Sequence, residues 1–355
     1  MSHPGRIPVP VILMPAPDFT VAELIDLTCQ HFPELADSEL EASPILKGGS
    51  DRRYYRLTQA GIPLHLILVS YTDARPDNIC FFPATEILQA HGVRVPAVHF
   101  HDRQRKLAWI EDLGALDLWA LQECPWTERR RLYTRTLEEI ARVHRLQPTN
   151  LPAETLAQLM SGFTEDLYAW EQSYFFDNFA AHFSAASPAA QQLARTSVAL
   201  ADLRRELGAL PTFLVHRDFQ SQNVIIRDDQ PYLIDYQGLR PGRPEYDVAS
   251  LLYDPYVTFT LAERNELWSA YQALRSGDDG WETSDRRLAQ CAIQRLMQAL
   301  GAYGHLALNA GKPEFLRHIP RAAATLAEVI THSGVATELL PLLQLRPAPM
   351  ESATA

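Results

Sequence analysis

The sequence predicts an α+β fold in two lobes, a small antiparallel sheet followed by a larger, mainly helical body. Three observations carry this. Short strand-like runs crowd the first third of the chain, at Ile45-Leu46, Tyr54 to Leu57, Leu64 to Val69, Val98 to His101 and Lys106 to Ile110. After Leu113 the apolar residues return at helical spacing, as in Leu132, Leu137, Ile140 and Val143. One strand-loop-strand unit, from Val215 to Asp235, interrupts the helices. The expected boundaries are a flexible tail over 1–17, a first lobe over 18–112, a second over 113–345 and a flexible tail over 346–355.

Taken in order, Asp18 is placed to cap a helix through Val21, Leu24, Ile25 and Leu27 that ends before Pro33. The turn Lys47-Gly48-Gly49-Ser50-Asp51 joins the first two strands. Glycines there let backbone N–H groups come close to phosphate oxygens, although a Gly-Gly hairpin by itself is ordinary. A helix over about 77–91 follows the third strand. Asp102-Arg103 turns a hairpin that Glu111-Asp112-Leu113-Gly114 ends, and Thr127 to Leu146 reads as a long amphipathic helix closed by His144, a packed or capping histidine. Phe163 to Phe176 is aromatic on several faces. From Leu261 onward three or four amphipathic helices complete the larger lobe, among them 267–274, 285–300 and 314–329.

Composition narrows the function. The 355 residues are 46% hydrophobic and 21% charged, as in a globular protein with a real core. A net charge of −11 argues against nucleic acid and anionic membranes as partners. No apolar run is long enough to span a membrane. Cys29, Cys80, Cys124 and Cys291 show no metal-binding or redox spacing, so the expected setting is a reducing cytoplasm, for a monomer or weak dimer. Lysine occurs only at Lys47, Lys106 and Lys312, and nearly all basic residues are arginine.

The chemistry concentrates between Val215 and Asp235. Strands flank His216-Arg217-Asp218, Asn223-Val224-Ile225-Ile226 follows the loop, Asp228-Asp229 turns a hairpin, and Tyr232-Leu233-Ile234 leads to Asp235. This brings Asp218, Asn223 and Asp235 to one end of a buried hairpin. Asn223 and Asp235 supply hard oxygen donors suited to Mg²⁺, which leaves Asp218 to receive a proton. That is a phosphoryl-transfer arrangement. A polar hairpin with capping side chains is the bland alternative.

The segment resembles the catalytic loop and metal strand of the aminoglycoside phosphotransferase and choline kinase superfamily, small-molecule relatives of the protein kinases. The resemblance implies a protein-kinase-like fold that uses ATP and Mg²⁺. It makes Asp218 the base, Asn223 and Asp235 the metal ligands and His216 a brace. Asp247, in Glu245-Tyr246-Asp247-Val248-Ala249-Ser250, would tie down the loop backbone. Gly48, Gly49, Ser50 and Arg53 would then lie at the nucleotide phosphates, with Glu111 and Leu113 at a hinge whose backbone meets the adenine edge.

Gly49-Ser50-Asp51-Arg52-Arg53-Tyr54-Tyr55-Arg56 is similar to the opening of one branch, the bacterial N-acetylmuramate and N-acetylglucosamine anomeric kinases of cell-wall recycling. Most kinases carry a third-strand lysine paired with a helix glutamate. Here Leu64 to Tyr71 has no lysine and Phe81 stands near the glutamate position, a consistent double absence because one charge alone would be buried unpaired. Arg52, Arg53 and Arg56 are candidates to neutralise phosphate instead, or form a solvated strand end.

In that branch a Trp-Tyr-containing acidic helix borders the acceptor, which makes Trp170, Glu171 and Tyr174 candidate substrate contacts; core packing explains the aromatics equally well. The loop from Gln237 to Pro244 follows Asp235 and lies beside the acceptor, so Gln237 and either Arg240 or Arg243, the latter two for a carboxylate, are further candidates, an exposed loop arginine being the commoner case. The expected function is phosphate transfer to a sugar hydroxyl, with an aminoglycoside or choline-type kinase as the alternative. A kinase-shaped nucleotide-binding protein without turnover is the reading from another class.

Overall fold

Strands β1 (Leu40–Ile45), β2 (Arg53–Gln59), β3 (Ile62–Ser70), β4 (Val98–Asp102) and β5 (Leu107–Glu111) form one antiparallel sheet in the order β1-β2-β3-β5-β4. The computed structural model describes residues 19–36, 39–45, 52–73 and 75–346. Side chains alternate across a strand, so the apolar run of β3 serves two cores. Leu66 and Leu68 join Leu57, Leu107 and Trp109 under helix α1 (Val21–His31), while Val69 joins Tyr71, Phe82, Ala108 and Ile110 under helix α2 (Pro76–Ala90). Each such leucine removed from water contributes about 2 kcal/mol. The indole of Trp109 would lose a hydrogen bond to water on burial, and its Nε1 donates to Thr28 Oγ1 at 2.9 Å.

The α1 start differs from expectation. Thr20 is the cap: its Oγ1 accepts from the Glu23 amide at 3.2 Å and its amide donates to Glu23 Oε2 at 2.7 Å, a reciprocal box. Asp18 lies outside the described residues, as do the expected tail over 1–17 and residues 347–355 of the other. The first strand also begins earlier than its sequence texture implied. Pro44 disguises it, but a proline is tolerated on an edge strand, and β1 is an edge.

The second part of the chain runs α3 (Trp126–His144), the one-turn α4 (Ala153–Leu156), α5 (Glu165–Phe175), the short α6 (Ala181–Phe183), α7 (Pro188–Arg195) and α8 (Val198–Ala209). Then come β6 (Phe213–Val215), the hairpin β7 (Val224–Arg227) and β8 (Gln230–Leu233), and β9 (Arg240–Gly242), which pairs with β6. Helices α9 (Pro244–Leu252), α10 (Leu261–Arg275), α11 (Asp285–Asn309) and α12 (Ile319–Ser333) finish it. The last helix starts later than expected because Pro320, which has no N–H to give, suits a first helical turn and not an interior.

Helix α11 is buried along most of its length. It crosses the end of α5 so closely that a Cβ on Gly304 would stand 2.1 Å from the Asn178 carbonyl oxygen, and one on Gly301 2.8 Å from the Tyr174 ring. Only glycine permits that approach. Among the described residues no helix is long and apolar enough to cross a membrane.

Polar contacts bind the sheet to the turn after β5 and to the helical body. Arg56 on β2 grips Asp112 through Nε–Oδ2 at 2.5 Å and Nη2–Oδ1 at 3.0 Å, and Gly114 N donates to Asp112 Oδ1 at 2.8 Å. Glu111 accepts from Arg227 Nη1 at 2.7 Å, which couples the end of β5 to the end of β7.

Candidate active site

Strand β6 delivers the chain to His216, Arg217 and Asp218 beneath the sheet. Arg217 has φ of +80°, a conformation most side chains avoid, so the loop must be held from outside. Asp247, fully buried on the first turn of α9, does the holding. Its Oδ2 accepts from the His216 amide at 2.6 Å and its Oδ1 from the Arg217 amide at 2.8 Å. A third bond, from His144 Nε2 at 3.0 Å, fixes the carboxylate. Burial lowers the His144 pKa against the pull of Asp247, so the ring is neutral, with Nδ1 facing Tyr271 OH at 2.6 Å.

The rest of the loop is pinned in the same way. Asp254, buried, takes both the Ser221 amide at 2.8 Å and the Ser221 hydroxyl at 2.6 Å. Asn223 Nδ2 donates to the Asp218 carbonyl at 2.8 Å, Ile234 N donates to the Asn223 carbonyl at 3.0 Å, and His216 Nε2 stands 2.9 Å from the Ile234 carbonyl. Asp228 and Asp229 turn the hairpin at φ of +50° and +63°, as a two-residue loop of this hand requires. Three hydrogen bonds to backbone carbonyls, two from side chains and one from an amide, thus tie the loop at Asp218 to Asn223 and to Ile234, the residue before Asp235.

Arginines set the electrostatics. Burial pushes the Asp218 pKa up, but Arg217, hydrogen-bonded to Oδ2, and Arg295, 3.8 Å from Oδ1, outweigh it and hold the group below its ordinary value. Asp218 is therefore an ionised acceptor. Arg295 is itself aimed by Ser250 Oγ at 3.1 Å and by Gln298. Asn223, with its amide nitrogen spent on the loop, offers its oxygen; together with the partly exposed carboxylate of Asp235 this is a hard two-oxygen donor set that fits Mg²⁺. Among the described residues no group of three His, Cys, Asp or Glu side chains is placed to hold a metal.

The sequence profile of the phosphotransferase enzyme family matches residues 41–285. The chain belongs to this family. Among its relatives, the N-acetylmuramate/N-acetylglucosamine kinase of Pseudomonas putida is 26% identical over 322 residues, covering 88% of this chain and 91% of that protein. The kinase of the same name from Pseudomonas aeruginosa is 22% identical over 321 residues, covering 88% and 90%. A choline/ethanolamine kinase family protein from Mesorhizobium loti superposes with a TM-score of 0.59 at 15% identity, covering 91% of this chain and 99% of that one. The fold is the protein-kinase-like two-lobe α+β architecture, and the protein is a phosphotransferase.

For a phosphotransferase of this fold, the remaining expected residues lie as follows. Gly48, Gly49 and Ser50 fall outside the described residues. Arg53 is exposed, paired across the sheet with Ser70, whereas its neighbour Arg52 is buried and reaches Asp235. Glu111 spends its side chain on Arg227 and the Ala97 amide, and Leu113 is buried.

Two of the expected substrate contacts, Glu171 and Gln237, are buried. Glu171 is 1% exposed, with Oε1 accepting from Tyr246 OH at 2.9 Å and Oε2 from Gln294 at 3.0 Å. Burial raises its pKa, so it is no open acid wall. Gln237, 5% exposed, donates from Nε2 to Asp235 Oδ1 at 2.9 Å, while its Oε1 has no hydrogen-bond partner among the described residues. Trp170 is 52% exposed and stacks on Tyr174 with ring centres 5.0 Å apart. Arg240 lies over the Phe163 ring at 5.5 Å, with Nε on the Gly238 carbonyl, and its pKa is lowered by burial and by Arg217.

Sequence reading missed Arg295 and the internal role of Glu171. The available signal was a polar set on one helix, since Gln290, Gln294, Arg295 and Gln298 lie in an otherwise apolar stretch of α11 and are all buried.

Proposed function

We propose that this phosphotransferase is an ATP- and Mg²⁺-dependent kinase that phosphorylates a sugar hydroxyl, the anomeric hydroxyl of an amino sugar of the N-acetylmuramate or N-acetylglucosamine type. The observation that carries the reading is Asp218, kept ionised by two arginines and bound through its own backbone to Asn223. Asp218 orients the acceptor hydroxyl and takes its proton as the phosphoryl group departs. Asn223 and Asp235 would hold the metal, which supplies charge neutralisation at the phosphates when bound. Asp247 keeps the loop in register, and Glu111 to Leu113 would line the adenine edge with backbone groups.

The acceptor class is argued from charge. Arg217, Arg240 and Arg295 gather around Asp218, while Glu171 is buried and its pKa raised. Such surroundings repel a cationic aminoglycoside or choline and favour a neutral or carboxylate-bearing sugar. Trp170 and Tyr174 present a stacked aromatic face for the ring. All four cysteines are free, in keeping with a cytoplasmic setting.

The test is Mg²⁺-dependent ADP release over a panel of N-acetylmuramate, N-acetylglucosamine, plain hexoses, kanamycin and choline. The expected order puts the N-acetylated sugars first and the cations at background. Nucleotide binding without ADP release on any acceptor would replace this reading with that of a kinase-shaped binding protein.

A further inference from the structure

The place where most kinases keep a lysine-glutamate pair is apolar in this protein. Val69 of β3 packs with Tyr71, Phe82 and Ala108, and Tyr54 and Phe81 join them. Phe81 of α2 stacks on Tyr236 at 5.3 Å and 15°. Strand β3 itself carries no Lys, Arg, Asp or Glu. What does lie against this cluster is Arg52, whose side chain is only 5% exposed and which lines the same small cleft with Tyr54, Val69, Asn78 and Phe81.

The guanidinium of Arg52 is not left in the apolar cleft. Its Nη2 meets Asp235 Oδ1 at 2.9 Å, the oxygen that also accepts from Gln237 at 2.9 Å. Asp235 therefore has one oxygen saturated by a cation and an amide before any metal arrives. A buried arginine needs a compensating anion, and Asp235 is one that Arg52 hydrogen-bonds directly, with Tyr54 and Asp77 also favouring its charge. Mg²⁺ at Asp235 would put three positive charges around one carboxylate. The arrangement is tolerable only if the guanidinium moves to another anion.

We infer that Arg52 performs the duty of the missing third-strand lysine by exchange: its guanidinium neutralises Asp235, and gives that carboxylate up to Mg²⁺ as it passes to the nucleotide phosphates. An arginine suits this better than a lysine. Its planar fork can take up two phosphate oxygens at once after it leaves the carboxylate. Arg52, just before β2, reaches Asp235, whereas Arg56 is committed to Asp112 and Arg53 is exposed. The inference rests on the kinase reading and adds to it a named residue and a sequence of partners.

The experiment uses the full-length protein and variants Arg52→Ala and Arg52→Lys, with two binding measurements by calorimetry or fluorescence. The first compares ATP with AMP in the presence of Mg²⁺. The second follows Mn²⁺ alone, as a spectroscopic stand-in for Mg²⁺. Arg52→Ala is expected to lower the ATP-to-AMP affinity ratio about tenfold, since one charge-assisted contact to phosphate is lost. The same variant should bind Mn²⁺ alone several-fold more tightly, because the competing cation is gone. Arg52→Lys should restore part of the ATP preference.

A purely structural arginine would move AMP, ATP and Mn²⁺ in one direction together. That result, or an unchanged ATP-to-AMP ratio, or an unchanged Mn²⁺ affinity, overturns the exchange. If the wild-type protein itself bound no ATP with Mg²⁺, the kinase reading would fall instead, so the two failures are distinct.

Discussion

Removing the Asp247 carboxylate is the perturbation with the clearest arithmetic. It accepts three hydrogen bonds, from the His216 amide, the Arg217 amide and His144 Nε2, at 2.6, 2.8 and 3.0 Å, and it is fully buried. Asp247→Ala strands two backbone N–H groups and an imidazole N–H away from water. Orphaned buried donors cost about 1–3 kcal/mol each, less what relaxation recovers, for a net of about 4 kcal/mol. Unfolding entropy near 2.1 cal/mol/K per residue gives about 0.7 kcal/mol/K for 355 residues, so Tm should drop by about 5 °C.

Turnover should suffer more than stability. Arg217 at φ of +80° has no other anchor for its amide, and when it relaxes it carries Asp218 with it. A displacement of about 1 Å at the reacting group costs about 100-fold in kcat. Asp247→Asn keeps one acceptor and should cost about 2 kcal/mol with a smaller kinetic loss. The assay is thermal unfolding followed by ADP release at 25 °C, where both variants remain folded. A Tm within 1 °C of wild type together with kcat within threefold would refute the claim that this carboxylate holds the loop.

Other outcomes follow from the same geometry. Asp218→Asn should lower kcat by about 10³-fold with ATP affinity kept, while Asp235→Asn should weaken Mg²⁺-dependent nucleotide binding itself; steady-state kinetics and calorimetry separate the two. Because Asp218 is held below the ordinary carboxylate range by Arg217 and Arg295, its protonation should produce no acid limb in kcat/KM above about pH 4. His144 is neutral when folded and its pKa is lowered, whereas in the unfolded chain it protonates near 6.5. The unfolded state then binds the extra proton, so the His144 contribution to stability declines as pH falls below about 6.5, measurable by urea unfolding at pH 7.5 and 5.5. Arg56→Ala frees Asp112 and removes the tie between the sheet and the turn after β5, and should cost about 2 kcal/mol and raise the ATP KM several-fold.

Much of this was legible before any coordinates. The Asp218, Asn223 and Asp235 set is readable because the strands that present it are contiguous, so spacing alone decides which residues share an end. The two lobes follow from where strand-like runs give way to helical spacing. What stayed hidden is tertiary. Consecutive helical residues point about 100° apart, so Trp170 and Glu171 cannot face the same space, yet an aromatic segment gives no sign of which face turns inward. Arg295 is 77 positions beyond Asp218 and belongs to no local pattern. Arg52 and Arg53 are neighbours of one type, and only their surroundings in the fold decide that the Arg52 side chain is covered while Arg53 is exposed.

The contact between α2 and the segment after Asp235 bears on how such an enzyme is governed. In protein kinases a helix that swings on a charged pair works as a switch. Here Phe81 lies flat on Tyr236, and Thr85 Oγ1 is 2.8 Å from the Tyr236 hydroxyl. Rings and a neutral hydroxyl offer nothing for an incoming phosphate group to attract or repel. The helix is bolted by a ring stack and a neutral hydrogen bond where a signalling kinase would keep it hinged on a charged pair.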